Sequence, residues 1–172
     1  MIDNTVEEVR KHFESIMDLL NIERNQSNEN TSLRIAKMLC NELFLHRNNN
    51  GIQELDSQMK VFDCDWCINP VTIKDIPVQS VCEHHWLPMT GTCSITYLPK
   101  SKVIGLSKVP RVVKFFSRKP QLQERLTTEI GEYLVKILDP QYLFVNMTCE
   151  HMCVKMRGIE TPCLTDTVYS YS

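Results

Sequence analysis

The sequence has little that would take the chain to a membrane or to a nucleic acid. No stretch of its 172 residues approaches the ~18 consecutive apolar residues that a membrane span needs. The opening MIDNTVEEVR is acidic and is unlike a secretion signal. The formal net charge of -2 argues against binding of nucleic acid or a membrane surface through bulk charge. We therefore expect a cytoplasmic protein with neither kind of partner.

The sequence also lacks internal repeats, low-complexity tracts and an evident linker. A single domain of this length buries roughly 70 % of the surface of its unfolded chain, so it does not need disulfides to fold. The eight cysteines are then free thiols, small buried side chains or metal ligands. We predict one domain over residues 1–172, with an N-terminal helical part over 1–50 and a core over 59–172.

The apolar periodicity changes along the chain. Helical spacing predicts a helix over 5–21 and a second one that carries Leu33, Ala36, Leu39 and Leu43 on one face. Alternation over 59–98 is typical of strands. Further predicted elements are helices over 110–119 and 120–138 and strands over 142–156 and 165–172. Helices and strands in this order indicate the α+β class.

A candidate metal site begins in SVCEHHWLPMTGTC, residues 80–93. Cys82 and His85 form a C-x2-H pair, which one tight turn can aim at one ion. CEHMC, residues 149–153, is the expected source of a third ligand, since on a strand Cys149, His151 and Cys153 project to one face. Thiolate and imidazole ligands favour zinc, and two thiolates with one imidazole leave the fourth position to water, as in a catalytic site.

The two remaining histidines of these motifs, and the thiols of CDWC, have more than one interpretation. His84 points away from an ion held by His85, which suits acid–base chemistry. His151 by itself is equally compatible with a hydrogen-bonded core histidine. Cys64 and Cys67 in CDWC form either half of a second, structural zinc site shared with Cys149 or Cys163, or a pair of loop thiols.

Four runs of sequence, in order along the chain, together resemble the GTP cyclohydrolase I family. They are TSLRIAKM (31–38), SVCEHHWLPMTG (80–91), YLPKSKVIGLSKVPRVVKFFSRKPQLQERLT (97–127) and EHMCVKMRGI (150–159). The resemblance implies the tunnelling fold, with an antiparallel sheet, helices packed on one face of it, and N-terminal helices. It also implies a homo-oligomeric barrel, commonly a decamer, with active sites between subunits.

The resemblance further implies a role for each matching residue. The zinc ligands would be Cys82, His85 and Cys153, and the catalytic residues His84, His151 and Ser107. The substrate-binding residues would be Gln123, Glu124, Lys108, Arg111, Arg157 and Arg34. A carboxylate at Glu124 accepts the two donors on one edge of guanine, and the cations neutralise a triphosphate.

The activity implied by the resemblance is zinc-dependent hydrolysis of GTP at guanine C8. It releases formate and rearranges the remainder to 7,8-dihydroneopterin triphosphate, a step of pterin or tetrahydrofolate biosynthesis. Two alternatives are an enzyme of the same fold that acts on another purine or pterin, and a non-enzymatic, zinc-stabilised oligomer. The intact GLSK motif and zinc ligands argue against the first, and the retained histidines, glutamate and cations argue against the second.

Overall fold

A computed structural model describes residues 4–172 of the chain. These residues form two compact units, one that ends at Leu45 and one over His46–Ser172. None of the helices within residues 4–172 has the length and apolar character of a membrane span.

The first unit is a pair of helices. Helix α1 spans Asn4–Leu19 and helix α2 spans Thr31–Met38, and a π-helical turn over Leu39–Leu43 extends α2. The apolar periodicity places Val6 and Met17 of α1 and Ala36 of α2 in the interior between them. Both predicted N-terminal helices are therefore present.

The second unit is built around a five-stranded sheet. Its helices are α3 (Ile52–Gln58), α4 (Lys108–Ser117), α5 (Gln123–Leu138) and α6 (Met152–Lys155). Its strands are β1 (Val61–Asp63), β2 (Val71–Cys82), β3 (Pro88–Leu98), β4 (Lys102–Ile104), β5 (Pro120–Gln121), β6 (Tyr142–His151) and β7 (Leu164–Tyr171). The sheet order is β5-β2-β3-β6-β7, and β1 pairs with β4 separately.

All pairs in the five-stranded sheet are antiparallel except β5 with β2. Alternating residues such as Ile95 and Val145 point into the core, whereas their neighbours Thr96 and Phe144 lie on the opposite, more open face. Strands β3 and β6 approach closely at Gly91, where a Cβ would lie only 1.9 Å from the Thr148 carbonyl oxygen. This pairing sets Met89 opposite His151 at the end of β6.

Helices α4 and α5 cover the buried face of the sheet. Val112 and Phe116 of α4 and Leu126 and Ile130 of α5 join the sheet residues in one hydrophobic core. The predicted α+β class, with an antiparallel sheet and helices on one of its faces as in the tunnelling fold, is confirmed. The oligomeric barrel stays a prediction.

Two details of the sequence prediction are wrong. Residues 120–121 do not begin a helix, because they pair with Val81 and Cys82 as β5, and α5 starts only at Gln123. The strand predicted over 142–156 ends at His151, and Cys153 lies in the short helix α6.

Candidate metal centre

The turn between β2 and β3 carries the first two candidate ligands. It is closed by the Trp86 amide, which donates to the Cys82 carbonyl at 2.9 Å, and by the Cys82 amide, which donates to the Leu87 carbonyl at 2.9 Å. Trp86 has a φ of +54°, in the left-handed region. This tight turn brings Cys82 Sγ within 3.6 Å of His85 Nδ1.

Helix α6 supplies the third candidate ligand. The ligand atoms of Cys82, His85 and Cys153 all lie within 4.8 Å of one another. Across residues 4–172, this is the one group of three or more such side chains close enough to hold an ion. A sulfur at about 2.3 Å and a nitrogen at about 2.1 Å from a tetrahedral zinc ion lie about 3.6 Å apart, which is the separation found for Cys82 and His85.

The chemistry of the two thiols also fits a cation. Burial raises the pKa of Cys153, and its contact with the Cys82 thiol raises it further. Two adjacent sulfurs resist loss of both protons, because the thiolates would repel each other. A divalent cation between them removes that penalty, since metal binding and thiol deprotonation are linked. The residues present therefore fit a soft divalent metal such as zinc.

Cys149 does not share a face with Cys153, contrary to the alternation expected of CEHMC. Cys149 is fully buried in the core beneath the helices, whereas the chain leaves the strand before Cys153. Burial raises the pKa of Cys149 to about 12, so this thiol is a poor ligand.

Cys64 and Cys67 lie in the loop after β1. The Cys67 amide donates to Cys64 Sγ at 3.2 Å, and the Cys64 amide donates to the Ser101 carbonyl at 2.8 Å. Within the described chain neither thiol belongs to a group of three candidate ligands, and neither do Cys149 and Cys163.

His151 is held by a hydrogen bond to helix α5. Its Nε2 lies 2.8 Å from Gln123 Oε1. An amide oxygen only accepts, so His151 donates from Nε2, and its Nδ1 is the atom open to proton exchange in the neutral ring. Burial lowers the pKa of His151, while the negative charge of Glu124 acts in the opposite direction.

Gln123 is almost fully buried, with 1 % of its surface exposed. Its Nε2 donates towards the Met147 carbonyl at 3.0 Å, the Thr165 carbonyl at 2.8 Å and Thr167 Oγ1 at 3.1 Å. The Gln123 side chain is thus occupied by β6, β7 and His151. Sequence reasoning assigned it to the substrate and missed its contact with His151, which no local spacing indicates.

His84 and Arg157 flank the candidate ligands. His84 is exposed, and its ring centroid lies 6.2 Å from that of His85 in an edge-on arrangement. Arg157 Nη1 lies 3.1 Å from His85 Nε2. An imidazole and a fixed positive charge therefore stand next to the candidate metal site.

The other predicted site residues lie on helices α2, α4 and α5. Ser107 precedes α4, Lys108 begins it, and the exposed Arg111 contacts Gln58 Oε1 at 3.0 Å. Two cations at a helix N-terminus suit an anion. Glu124 is exposed in the first turn of α5, and Arg34 is exposed on α2 in the first unit.

Comparisons with known proteins point to one family. The model of the GTP cyclohydrolase I family matches residues 9–171. GTP cyclohydrolase 1 of Vibrio cholerae is 38 % identical over 157 residues, which cover 89 % of this chain and 70 % of the relative. The Sodalis glossinidius protein of that name is 38 % identical over 176 residues, covering 99 % and 77 %. Among solved structures, the archaeosine synthase QueF-Like in the apo form matches 59 % of this chain and 91 % of its own, with a TM-score of 0.47 and 20 % identity.

Proposed function

The chain belongs to the GTP cyclohydrolase I family of enzymes, and on that premise we propose that it hydrolyses GTP at guanine C8 with zinc as its cofactor. The products are formate and 7,8-dihydroneopterin triphosphate. The observation that carries the proposal is the convergence of Cys82, His85 and Cys153, whose ligand atoms lie within 4.8 Å of one another.

Three protein ligands support a catalytic rather than a structural role for the ion. A structural zinc has four protein ligands, whereas a catalytic zinc has three and keeps one position open. When bound, zinc supplies a Lewis acid that brings the pKa of water to about 7. Cys82, His85 and Cys153 would hold it, and the rest of the chemistry is assigned to side chains of this chain.

His151 is the proposed proton carrier at the purine ring. Its lowered pKa favours the neutral ring, which takes up a proton at Nδ1 and readily gives it back. The bond from Nε2 to Gln123 fixes this tautomer and the plane of the ring. His84, exposed beside His85, is the second proposed acid–base group, and Ser107 assists proton transfer during the sugar rearrangement.

Glu124 is the proposed guanine contact. It lies between Gln123 and Arg125 in the first turn of α5 and its side chain is exposed, so it is accessible to a ligand. A carboxylate accepts both the N1–H and the exocyclic amine of guanine, and charge-assisted bonds of this kind are about twice as strong as neutral ones. Gln123 contributes by holding His151 next to this carboxylate.

The triphosphate is assigned to the cations of the second unit together with Arg34. Lys108 and Arg111 lie at the start of α4, where backbone amides and the helix dipole add to their charge. Arg157 adds a guanidinium next to His85, and its planar fork can bind two phosphate oxygens. We further propose a homo-oligomer, a decamer with active sites between subunits.

A turnover assay tests the proposed function. Purified protein loaded with zinc is incubated with GTP, and formate release is measured together with the absorbance of the pterin product. His84→Ala and His151→Ala are expected to retain zinc and to lose turnover by a factor of about 10² or more. Cys153→Ala is expected to lose both zinc and turnover.

His46 offers a matched control. Its ring stacks on Phe115 at 4.1 Å and its Nδ1 contacts the Asn50 carbonyl oxygen, so His46→Gln is expected to keep full turnover. Full turnover in a zinc-loaded His151→Ala protein would refute the role given to His151, and absence of formate from the parent protein would refute the proposed function.

A further inference from the structure

The first turn of helix α5 is bonded to two separate parts of the candidate site. Gln123 contacts His151 at the end of β6, and two positions later Arg125 contacts the β2–β3 turn that carries Cys82, His84 and His85. We propose that Arg125 is a positioning residue, which acts through Glu83 to aim the β2–β3 turn at Cys153. Its contribution is to metal affinity rather than to contact with substrate.

Arg125 reaches the turn through a charged pair. Its Nη2 donates to Glu83 Oε2 at 2.5 Å and to the Pro120 carbonyl at 3.2 Å, while its Nε donates to Gln121 Oε1 at 2.9 Å. One guanidinium therefore holds three acceptors in a fixed plane. Glu83 lies between Cys82 and His84, so fixing its side chain restrains the backbone segment that bears Cys82 and His85.

The backbone of Glu83 is anchored at the same place. Its amide donates to the Gln121 carbonyl at 3.0 Å, just beyond the β2–β5 pairing of Cys82 with Gln121. Glu83 is thus attached twice to the segment that leads into α5, once through its amide and once through its carboxylate. The two attachments fix both the position and the rotation of the turn.

Arg125 is held in place by a hydrogen-bond network that runs through the buried Gln121. Gln121, with 1 % of its surface exposed, donates to the Phe116 carbonyl at 3.0 Å and to Glu129 Oε2 at 2.7 Å. The second oxygen of Glu129 accepts from Lys119 Nζ at 2.8 Å. The charges alternate along the path from Glu83 through Arg125 and Glu129 to Lys119, so each member is paired.

The turn's own hydrogen bonds do not set its direction relative to Cys153. They close the loop between Cys82 and Leu87, whereas Cys153 belongs to the continuation of β6. Helix α5 is bonded to both parts, since Gln123 also donates to the Met147 carbonyl on β6. Arg125 and Gln123, in one turn of α5, therefore fix the β2–β3 turn and strand β6 relative to each other.

An exposed ion pair usually adds little to stability, and the Arg125 and Glu83 side chains are 41 % and 30 % exposed. The expected effect therefore lies in metal affinity. Groups that orient metal ligands from outside typically change metal affinity 10–100-fold when they are removed. Because it concerns the candidate zinc ligands, this inference depends on the zinc site of the proposed function.

The test is a double-mutant cycle on zinc affinity. Zinc is titrated against a chromophoric chelator with the parent chain, Glu83→Ala, Arg125→Ala and the double variant. Each single variant is expected to bind zinc about 10-fold more weakly. The double variant is expected to lose about as much as either single variant, since each single variant already removes the Arg125–Glu83 pair. Arg125→Lys, which keeps the charge but not the fork, is expected to fall between Arg125→Ala and the parent chain.

Ile130→Val separates positioning from general destabilisation. Ile130 is fully buried on the same helix and touches the core, so the shorter side chain lowers the melting temperature and is expected to leave zinc affinity unchanged. Unchanged affinity in both single variants would overturn the inference. So would a double variant whose loss equals the product of the two single losses.

A metal-free measurement distinguishes this inference from the proposed function. Hydrogen exchange of the peptide over residues 82–87 is followed by mass spectrometry in the absence of zinc. Both single variants are expected to exchange faster than the parent chain there, while Ile130→Val does not. If the parent chain bound no zinc, the proposed function would fail. Equal exchange in the parent chain, Glu83→Ala and Arg125→Ala would overturn the inference as well.

Discussion

Gln123 Oε1 and His151 Nε2 lie 2.8 Å apart, and this bond joins helix α5 to the end of strand β6. The two residues are 28 positions apart in the sequence. Because the Gln123 amide nitrogen is directed at acceptors of β6 and β7, its oxygen is left to face the imidazole. A buried amide of fixed orientation thereby determines which nitrogen of His151 carries the proton.

Replacing this amide is expected to impair both activity and stability. Gln123→Leu is similar in size but releases the His151 ring and removes the bonds to the Met147 and Thr165 carbonyls. We expect turnover to fall about 10²-fold with zinc retained, and stability to fall by about 1–3 kcal/mol. Turnover in the zinc-loaded variant and urea denaturation measure the two effects.

Thr127→Val is the control for that variant. Thr127 is buried one turn further along α5 and donates to the Gln123 carbonyl at 2.8 Å, but its side chain does not contact His151. It is expected to lose stability and to retain turnover. Equal turnover in Gln123→Leu and the parent chain would show that His151 does not depend on this bond.

The close approach of β3 and β6 makes Gly91 sensitive to any side chain. A Cβ there would lie 1.9 Å from the Thr148 carbonyl oxygen and 2.7 Å from the Cys149 Cα, and these backbone atoms cannot rotate away. Gly91→Ala is expected to destabilise the protein by about 3 kcal/mol. Urea denaturation checks this against Thr92→Ala, an exposed neighbour expected to have little effect; equal stability of the two variants would contradict the register of β3 on β6.

The C-x2-C thiols are expected to take no part in metal binding. The Cys64→Ala/Cys67→Ala variant should contain as much zinc per chain as the parent protein, because no third ligand lies near them within residues 4–172. Cys82→Ala is expected to lose the metal. Elemental analysis after dialysis gives both values, and loss of zinc from the double variant would instead support a second site.

Tyr133 is expected to make the stability of the protein depend on pH in the alkaline range. Its hydroxyl donates to Asp56 Oδ1 at 2.7 Å, and burial followed by this bond raises the pKa of Tyr133 above the usual value of about 10. The contribution to stability is therefore complete below pH 10 and is lost as the pH rises towards the folded-state pKa. Tyr133→Phe is expected to cost about 1 kcal/mol at pH 7 and less above pH 10.

Urea denaturation of both proteins at pH 7 and above pH 10 measures this difference. Asp56→Asn keeps an acceptor for the hydroxyl and removes the charge, so it is expected to lose less stability at pH 7 than Tyr133→Phe. A stability difference between the parent and Tyr133→Phe that does not change with pH would contradict the raised pKa of Tyr133.

The parts of the site that depend on local spacing could be predicted from the sequence. Cys82 and His85 belong to one tight turn, and the amphipathic pattern located α1, α2, α4 and most of α5. The helix at Cys153 could not be predicted, because four residues are too few to show a helical period and the preceding alternation suggests a strand.

The hydrogen-bond partners of the site residues could not be predicted from the sequence either. Gln123 holds His151, and Arg125 holds Glu83, only because β6 and the β2–β3 turn both meet the start of α5. Such contacts join residues 28 and 42 positions apart, for which no periodicity exists. The resemblance to a family supplied the proposed zinc ligands and catalytic histidines, but not the hydrogen bonds that orient them.

Zinc K-edge X-ray absorption of the purified protein tests the central claim most directly. The account predicts one zinc per chain with two sulfurs at about 2.3 Å and two lighter atoms at about 2.0–2.1 Å, one of them an imidazole nitrogen. Loss of one sulfur from that shell is expected in Cys153→Ser. A shell of four sulfurs, or a parent spectrum that Cys153→Ser leaves unchanged, would contradict a catalytic centre formed by Cys82, His85 and Cys153.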